Sequence, residues 1–275
     1  MEPRQILKIA FAVLFVLAIS FFTAKGCTHF RKPGAPTPPT VVKTPLPTPV
    51  VVPKPATPQM AIILDDWGNN LVLVKTAVAI HRPLTLSVLP HLVHSRQIAQ
   101  EAKKNGLGVM LHMPMQPKNP KEPMEPHTIL TTSSEAEIIG TLDKALENIG
   151  VAEGVNNHQG SAATSDERLM RTVLRHLKSR GLFFVDSEVI PTTVGRKVSR
   201  ETGIQFTKRD VFIDNTHTVD AIKEKLRQAG KIAVKYGRVV VIGHDKKLTL
   251  QAIREMVPEL EKSGVKFVLV KELVE

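Results

Sequence analysis

The sequence predicts an α/β fold, with seven or eight mostly parallel strands in a closed or partly closed (β/α) barrel. Three observations carry this. From residue 60 onward, short apolar or β-branched runs alternate with amphipathic, helix-like stretches. That alternation implies parallel strands joined by right-handed crossovers. A glycine follows six of the helical stretches, at Gly106, Gly150, Gly181, Gly203, Gly237 and Gly264, and glycine suits a left-handed helix C-cap. Ser134 with Glu137, and Thr164 with Glu167, stand at capping-box spacing and mark two helix starts.

The strands are expected at 60–64, 84–89, 107–112, 151–155, 182–186, 211–213, 238–243 and 265–270. The helices between them are expected near 69–80, 94–105, 135–149, 166–180, 192–202, 217–236 and 248–263.

Two segments precede this domain of residues 59–275. Residues 9–22, IAFAVLFVLAISFF, are apolar apart from Ser20 and follow Arg4 and Lys8. With its flanks the span reaches about 19 residues, close to the ~20 that cross a bilayer. No small-x-small cleavage site is clear, and Lys25 spoils a lipoprotein-like match at Cys27. Residues 1–27 are therefore read as an uncleaved anchor with a cytoplasmic N-terminus. Anchor or cleaved signal, either reading exports residues 28–275. Residues 33–58 hold ten of the chain's 20 prolines, so 28–58 reads as an extended linker. At about 3.1 Å per residue, 26 residues reach roughly 80 Å.

The net charge is +11. Residues 1–58 carry seven Lys/Arg against Glu2 alone, so more than half of that excess lies outside the domain. Aromatic residues make up only 4%, which leaves little base-stacking surface, and no nucleic-acid-binding motif accompanies the charge. Nucleic acid is not an expected partner. The single cysteine, Cys27, excludes a disulfide framework and a cysteine-based zinc site.

Parallel barrels place their chemistry at the C-terminal ends of strands, and polar residues collect there. Asp65 and Asp66 follow the first strand and His112 ends the third. Asn156, Asn157 and His158 follow the fourth, with Ser161 just beyond. Asp186 ends the fifth. Arg209, Asp210, Asp214 and Asn215 surround the sixth, and His244 with Asp245 follows the seventh. One Asp and two His suit a divalent metal, most naturally zinc, and a neighbouring carboxylate can take a proton. Plainer readings stand beside this one. Asp66 could cap the helix near Asn69, His112 could be a satisfied core histidine, and GVNNHQGS could be turn chemistry. His91 and His94 fit a solvated face, and His81, His127, His176 and His217 read as surface residues.

The stretches AIILDDWG, LTLSVLP, LHMPMQP, GVNNHQGSAAT, LFFVDSE, KRDVFIDN and VIGHDKKLTL resemble, in order and over nearly all of 60–272, the divergent polysaccharide deacetylases of the bacterial envelope. The resemblance implies a distorted (β/α) barrel. It implies Asp65 as general base, Asp66 as metal ligand with His112 and His158, and His244 as general acid. The superfamily's usual pair of histidines four residues apart has no counterpart here, and Glu188 stands where the family often has a basic residue. Asp186 and Arg209 are expected to orient the base or the acid. Asn156, Asn157, Ser161 and Asp214 are expected to meet substrate. The implied activity is deacetylation of N-acetylated sugars in cell-envelope polysaccharide or peptidoglycan, by an exported domain anchored in the inner membrane. The rearranged histidines keep a second class open, a non-catalytic glycan-binding or envelope scaffold domain on the same fold.

Overall fold

The computed structural model describes residues 57–275. The expected anchor, and the Pro-rich linker up to residue 56, lie outside the described residues, among which no helix is long and apolar enough to cross a membrane.

Among the described residues, nine strands form one parallel sheet. They are β1 (Gln59–Trp67), β2 (Thr85–Val88), β3 (Gly108–Met115), β4 (Gly154–Gln159), β5 (Phe183–Asp186), β6 (Phe206–Lys208), β7 (Val211–Phe212), β8 (Arg238–His244) and β9 (Lys266–Val268). Their order is β6-β5-β4-β3-β2-β1-β8-β7, with β9 also paired to β1. Seven helices connect them: α1 (Leu71–Val78), α2 (Ser95–Lys104), α3 (Glu135–Ile149), α4 (Glu167–Ser179), α5 (Gly195–Thr202), α6 (Val219–Tyr236) and α7 (Lys247–Lys262).

The sheet curls into a distorted half-barrel whose two edges are joined by the chain itself. Arg209 N donates to Asp186 O, and the next amide, Asp210 N, donates to Val240 O. The backbone thus leaves β5 and joins β8 within two residues. The expected strand 211–213 is this second half. Its first half, β6, is the three-residue run FTK just before RDVFIDN, too short an apolar signal to stand out.

Alternation along each strand divides the core. One face carries Ile62, Leu64, Leu86, Leu111, Met113, Val155, Phe184 and Val241, packed under the helices. The concave face carries Ala61, Ile63, Met110, Val185, Val240 and Ile242. Burying each large aliphatic side chain contributes about 1.5–3 kcal/mol.

Ser134 and Glu137 form the anticipated capping box on α3, and all six helix-following glycines have positive φ. Two local readings change. Thr164 lies in a 3-10 turn, and the α4 cap is Asp166, whose Oδ1 accepts from Leu169 N at 3.0 Å. The cap of α1 is Asn70, which leaves Asp66 free of that role.

Candidate metal centre

β4 begins and ends later than its apolar run suggests. Asn156, Asn157 and His158 lie within it, because their backbone continues the ladder to β3, with His112↔Asn156 and Pro114↔His158 in register. β1 likewise runs on past Leu64 and pairs Asp65↔His244 with β8. On the concave face, the layer beyond Ile63, Met110 and Ile242 therefore consists of Asp65, His112, Asn156 and His244. Asp66 follows at φ +65° beside a register shift between Leu64 and Trp67. The left-handed turn swings its carboxylate back over the strand ends, a strained conformation that Asp tolerates better than most residues.

Asp66, His112 and His158 converge. Asp66 Oδ1 lies 3.3 Å from His112 Nε2 and 3.1 Å from His158 Nδ1, and the two ring nitrogens are 3.2 Å apart. The three donors form a nearly equilateral triangle. Ligands about 2.0–2.1 Å from a tetrahedral zinc stand about 3.3–3.4 Å apart, so the triangle matches one face of such a site. Asp66 Oδ1 is buried and makes no hydrogen bond. An orphaned carboxylate oxygen facing two imidazole nitrogens fits a divalent cation, and this donor set is the only such group among the described residues.

The electrostatics agree. Burial opposes ionisation of Asp66, yet the two imidazoles outweigh it and hold its carboxyl well below the ordinary range. Burial also opposes charge on His112, but Asp65 and Asp66 lift its pKa to about 9. The site thus carries an excess of negative potential that holds a proton where a cation would sit.

Asp65 and His244 flank the triangle. Asp65 is 4% exposed, and burial raises its pKa. Its Oδ1 accepts from Asn156 Nδ2 at 2.9 Å. His244 Nε2 lies 3.6 Å from Asp66 Oδ2, and its Nδ1 donates to Asp214 Oδ1 at 2.9 Å. Asp214 Oδ2 accepts from His244 N and Thr249 Oγ1, both at 2.8 Å. Burial disfavours the imidazolium of His244, but Asp214 outweighs it and raises the pKa.

A cleft of about 530 Å³ opens over these groups, lined by Asp65, His112, His158, Asn157, Ser161, Arg209 and His244, with Phe212 and Ile190 as apolar walls. Arg209 stacks over Phe212 at 4.9 Å and donates to Glu188 O. Ser161 Oγ accepts from Lys118 N.

Four expected residues stand elsewhere than anticipated. Asn157 is 1% exposed, donates from Nδ2 to Gln159 O and accepts at Oδ1 from Ser187 N, so its side chain is spent on the protein. Asp186 points away from the cleft, because β5 presents Phe183 and Val185 inward. Its carboxylate accepts from Thr193 Oγ1 and Glu188 N and tucks against Gly195, where any Cβ would strike it. It holds the loop after β5 and makes no side-chain bond to Arg209; Arg209 reaches only its backbone carbonyl. Asn156 is fully buried and meets other protein groups in place of substrate. Asp214, 1% exposed, stands behind His244 and is likewise out of substrate's reach. Glu188 pairs with Lys208 at 2.7 Å. Sequence reasoning missed Ser87, whose hydroxyl donates to Asn156 Oδ1, and Thr249. The signal for Ser87 is a hydroxyl near the C-terminal end of the short run TLSV, on the same face as Thr85.

The comparisons with known proteins bear on this geometry. Residues 62–274 match the model of the divergent polysaccharide deacetylases. The chain belongs to that family. It is 31% identical to an uncharacterized protein of Haemophilus influenzae over 71% of this chain and 70% of that one. It is 32% identical to the uncharacterized protein YibQ of Escherichia coli, over 74% of this chain but only 63% of that protein's length. Among solved structures, an uncharacterized protein of Agrobacterium tumefaciens superposes with TM-score 0.75 at 22% identity, over 79% of this chain and 89% of that one. The catalytic domain of a peptidoglycan N-acetylglucosamine deacetylase from Eubacterium rectale gives TM-score 0.51 at 16% identity, over 78% and 89%. A mutant CE4-family pseudoenzyme with restored activity, whose wild type is from Bacillus anthracis, gives 0.52 at 16%, over 80% and 68%. These structures share the fold.

Proposed function

We propose that the chain is a metal-dependent hydrolase that removes acetyl groups from N-acetylated sugars of envelope polysaccharide. The observation that carries this reading is the donor triangle flanked by a buried carboxylate and an Asp-backed imidazole. Family membership and the deacetylase fold add support.

Asp66, His112 and His158 would hold the cation, zinc on the chemistry of one carboxylate and two imidazoles. When bound, the cation supplies a Lewis acid that polarises a carbonyl and acidifies water. The protein supplies the proton transfers. Asp65, which binds protons more tightly than an exposed carboxylate, takes the proton of the attacking water. His244, held through Nδ1 by Asp214, protonates the departing sugar nitrogen from Nε2. Arg209 biases Asp65 toward its charged form. Ser161 remains a candidate for substrate contact on the cleft wall. The apolar segment 9–22 would hold the chain at the inner membrane, with the domain facing the envelope.

The test is acetate release from N-acetylglucosamine oligomers and peptidoglycan by the zinc-loaded full-length chain, beside Asp65→Asn. Release by the wild type, lost in Asp65→Asn with metal retained, is the expected result. A second reading, a non-catalytic glycan-binding domain, draws on the pseudoenzyme that shares the fold. Glycan binding without acetate release under any divalent metal would favour it.

A further inference from the structure

Asn156 is a buried amide with every hydrogen-bonding position in use. Oδ1 accepts from Ser87 Oγ and lies 2.8 Å from His112 Nδ1. Nδ2 lies 2.9 Å from Asp65 Oδ1 and 3.3 Å from Ser187 Oγ. An amide offers two acceptor sites and two donor hydrogens, so none is left over.

The orientation of this amide follows from its neighbours. As the candidate base, Asp65 presents a carboxylate oxygen that accepts, and Nδ2 faces it at 2.9 Å. Oδ1 must then face His112, which makes His112 Nδ1 the donor. A neutral imidazole with hydrogen on Nδ1 has its lone pair on Nε2, the atom that meets Asp66 and His158. We infer that Asn156 is a positioning residue that joins the candidate base to the candidate metal ligand, fixing the His112 tautomer that leaves Nε2 free for a cation while holding Asp65 beside it. This inference rests on the metal-centre reading for its consequence, whereas the tautomer stands by itself. Asparagine suits the place because only an amide donates to one partner and accepts from the other at equal reach.

Two variants separate the roles. Asn156→Asp keeps an acceptor on His112 Nδ1 but sets an oxygen against Asp65. It should retain zinc affinity within about threefold while acetate release falls steeply. Asn156→Leu keeps the volume without the acceptor, and zinc affinity should fall ~10–100-fold, the usual effect of losing such a partner to a ligand. Both are measured on the full-length chain by zinc competition titration. The tautomer is read by ¹⁵N NMR of histidine-labelled, metal-free wild type at alkaline pH, where the imidazole is neutral. A proton on Nδ1 of His112 is expected, and it should lose its hydrogen-bonded shift in the Leu variant. A proton on Nε2 overturns the inference, as does wild-type zinc affinity in a folded Leu variant. If Asn156→Leu does not fold, the wild-type tautomer alone decides. A wild type that shows the expected tautomer but binds no zinc leaves the inference standing and removes the metal-centre reading.

Discussion

Leu111 and His112 are neighbours on β3, both almost wholly buried, yet they serve opposite faces of one sheet. The helix-covered face stays apolar to the end of the strand, through Leu111, Met113 and Met115. The concave face is apolar only at Met110 and turns polar at His112. β1 and β8 repeat the change, Ile63 to Asp65 and Ile242 to His244. Among the described residues a cleft opens over the end of the concave face, so polar side chains there can meet one another, solvent or ligand. On the covered face of β3 a charge would lie unpaired among Leu111, Met113 and Met115, at a cost of several kcal/mol. The two faces therefore separate stability from chemistry one residue at a time.

Substitution can break that comparison. His112→Ala should abolish stoichiometric metal binding and cut acetate release at least ~10³-fold, equivalent to about 4 kcal/mol of barrier, while the circular dichroism spectrum stays native. Leu111→Ala should do the reverse, destabilising the fold by about 2–5 kcal/mol in urea titration with metal affinity of the folded chain unchanged. Loss of metal in Leu111→Ala at a temperature where it remains folded would show that the faces are not independent.

Smaller effects sharpen it. Asp214→Asn removes the charge behind His244 but leaves the triangle alone. A drop in kcat of about 10–100-fold with unaltered zinc content is expected from steady-state kinetics and metal analysis. The smallest effect is one of pH. In the metal-free chain the His112 pKa is raised from 6.5 to about 9, so the folded state holds that proton more tightly than the unfolded state. Its contribution to stability is complete below pH 6.5 and is lost as pH rises through about 9. Thermal melts of the chelator-treated chain should show that decline, and apparent zinc affinity should rise over the same window because zinc and proton compete for Nε2.

Much of this was legible in the residues. Strand–helix alternation gave the parallel sheet, the glycines gave the helix ends, and polar residues after apolar runs gave the rim. Asp66, His112 and His158 do meet, and Asp65 and His244 flank them. What alternation could not reveal was which face a polar residue joins. In a parallel strand both faces are apolar, so nothing in LFFVDSE tells that Val185 points inward and Asp186 outward. The same silence gave Asn156 and Asp214 to substrate, when both stand behind other site residues. Their roles depend on register between strands apart in sequence, and only His112↔Asn156 and Phe212↔Ile242 in the assembled sheet disclose them.

The most direct test of the metal centre is calorimetric titration of zinc into the chelator-treated full-length chain, beside His158→Ala. The account predicts about one zinc per wild-type chain and loss of that binding in the variant. A wild type that takes up no zinc, or a variant that binds as the wild type does, would contradict it.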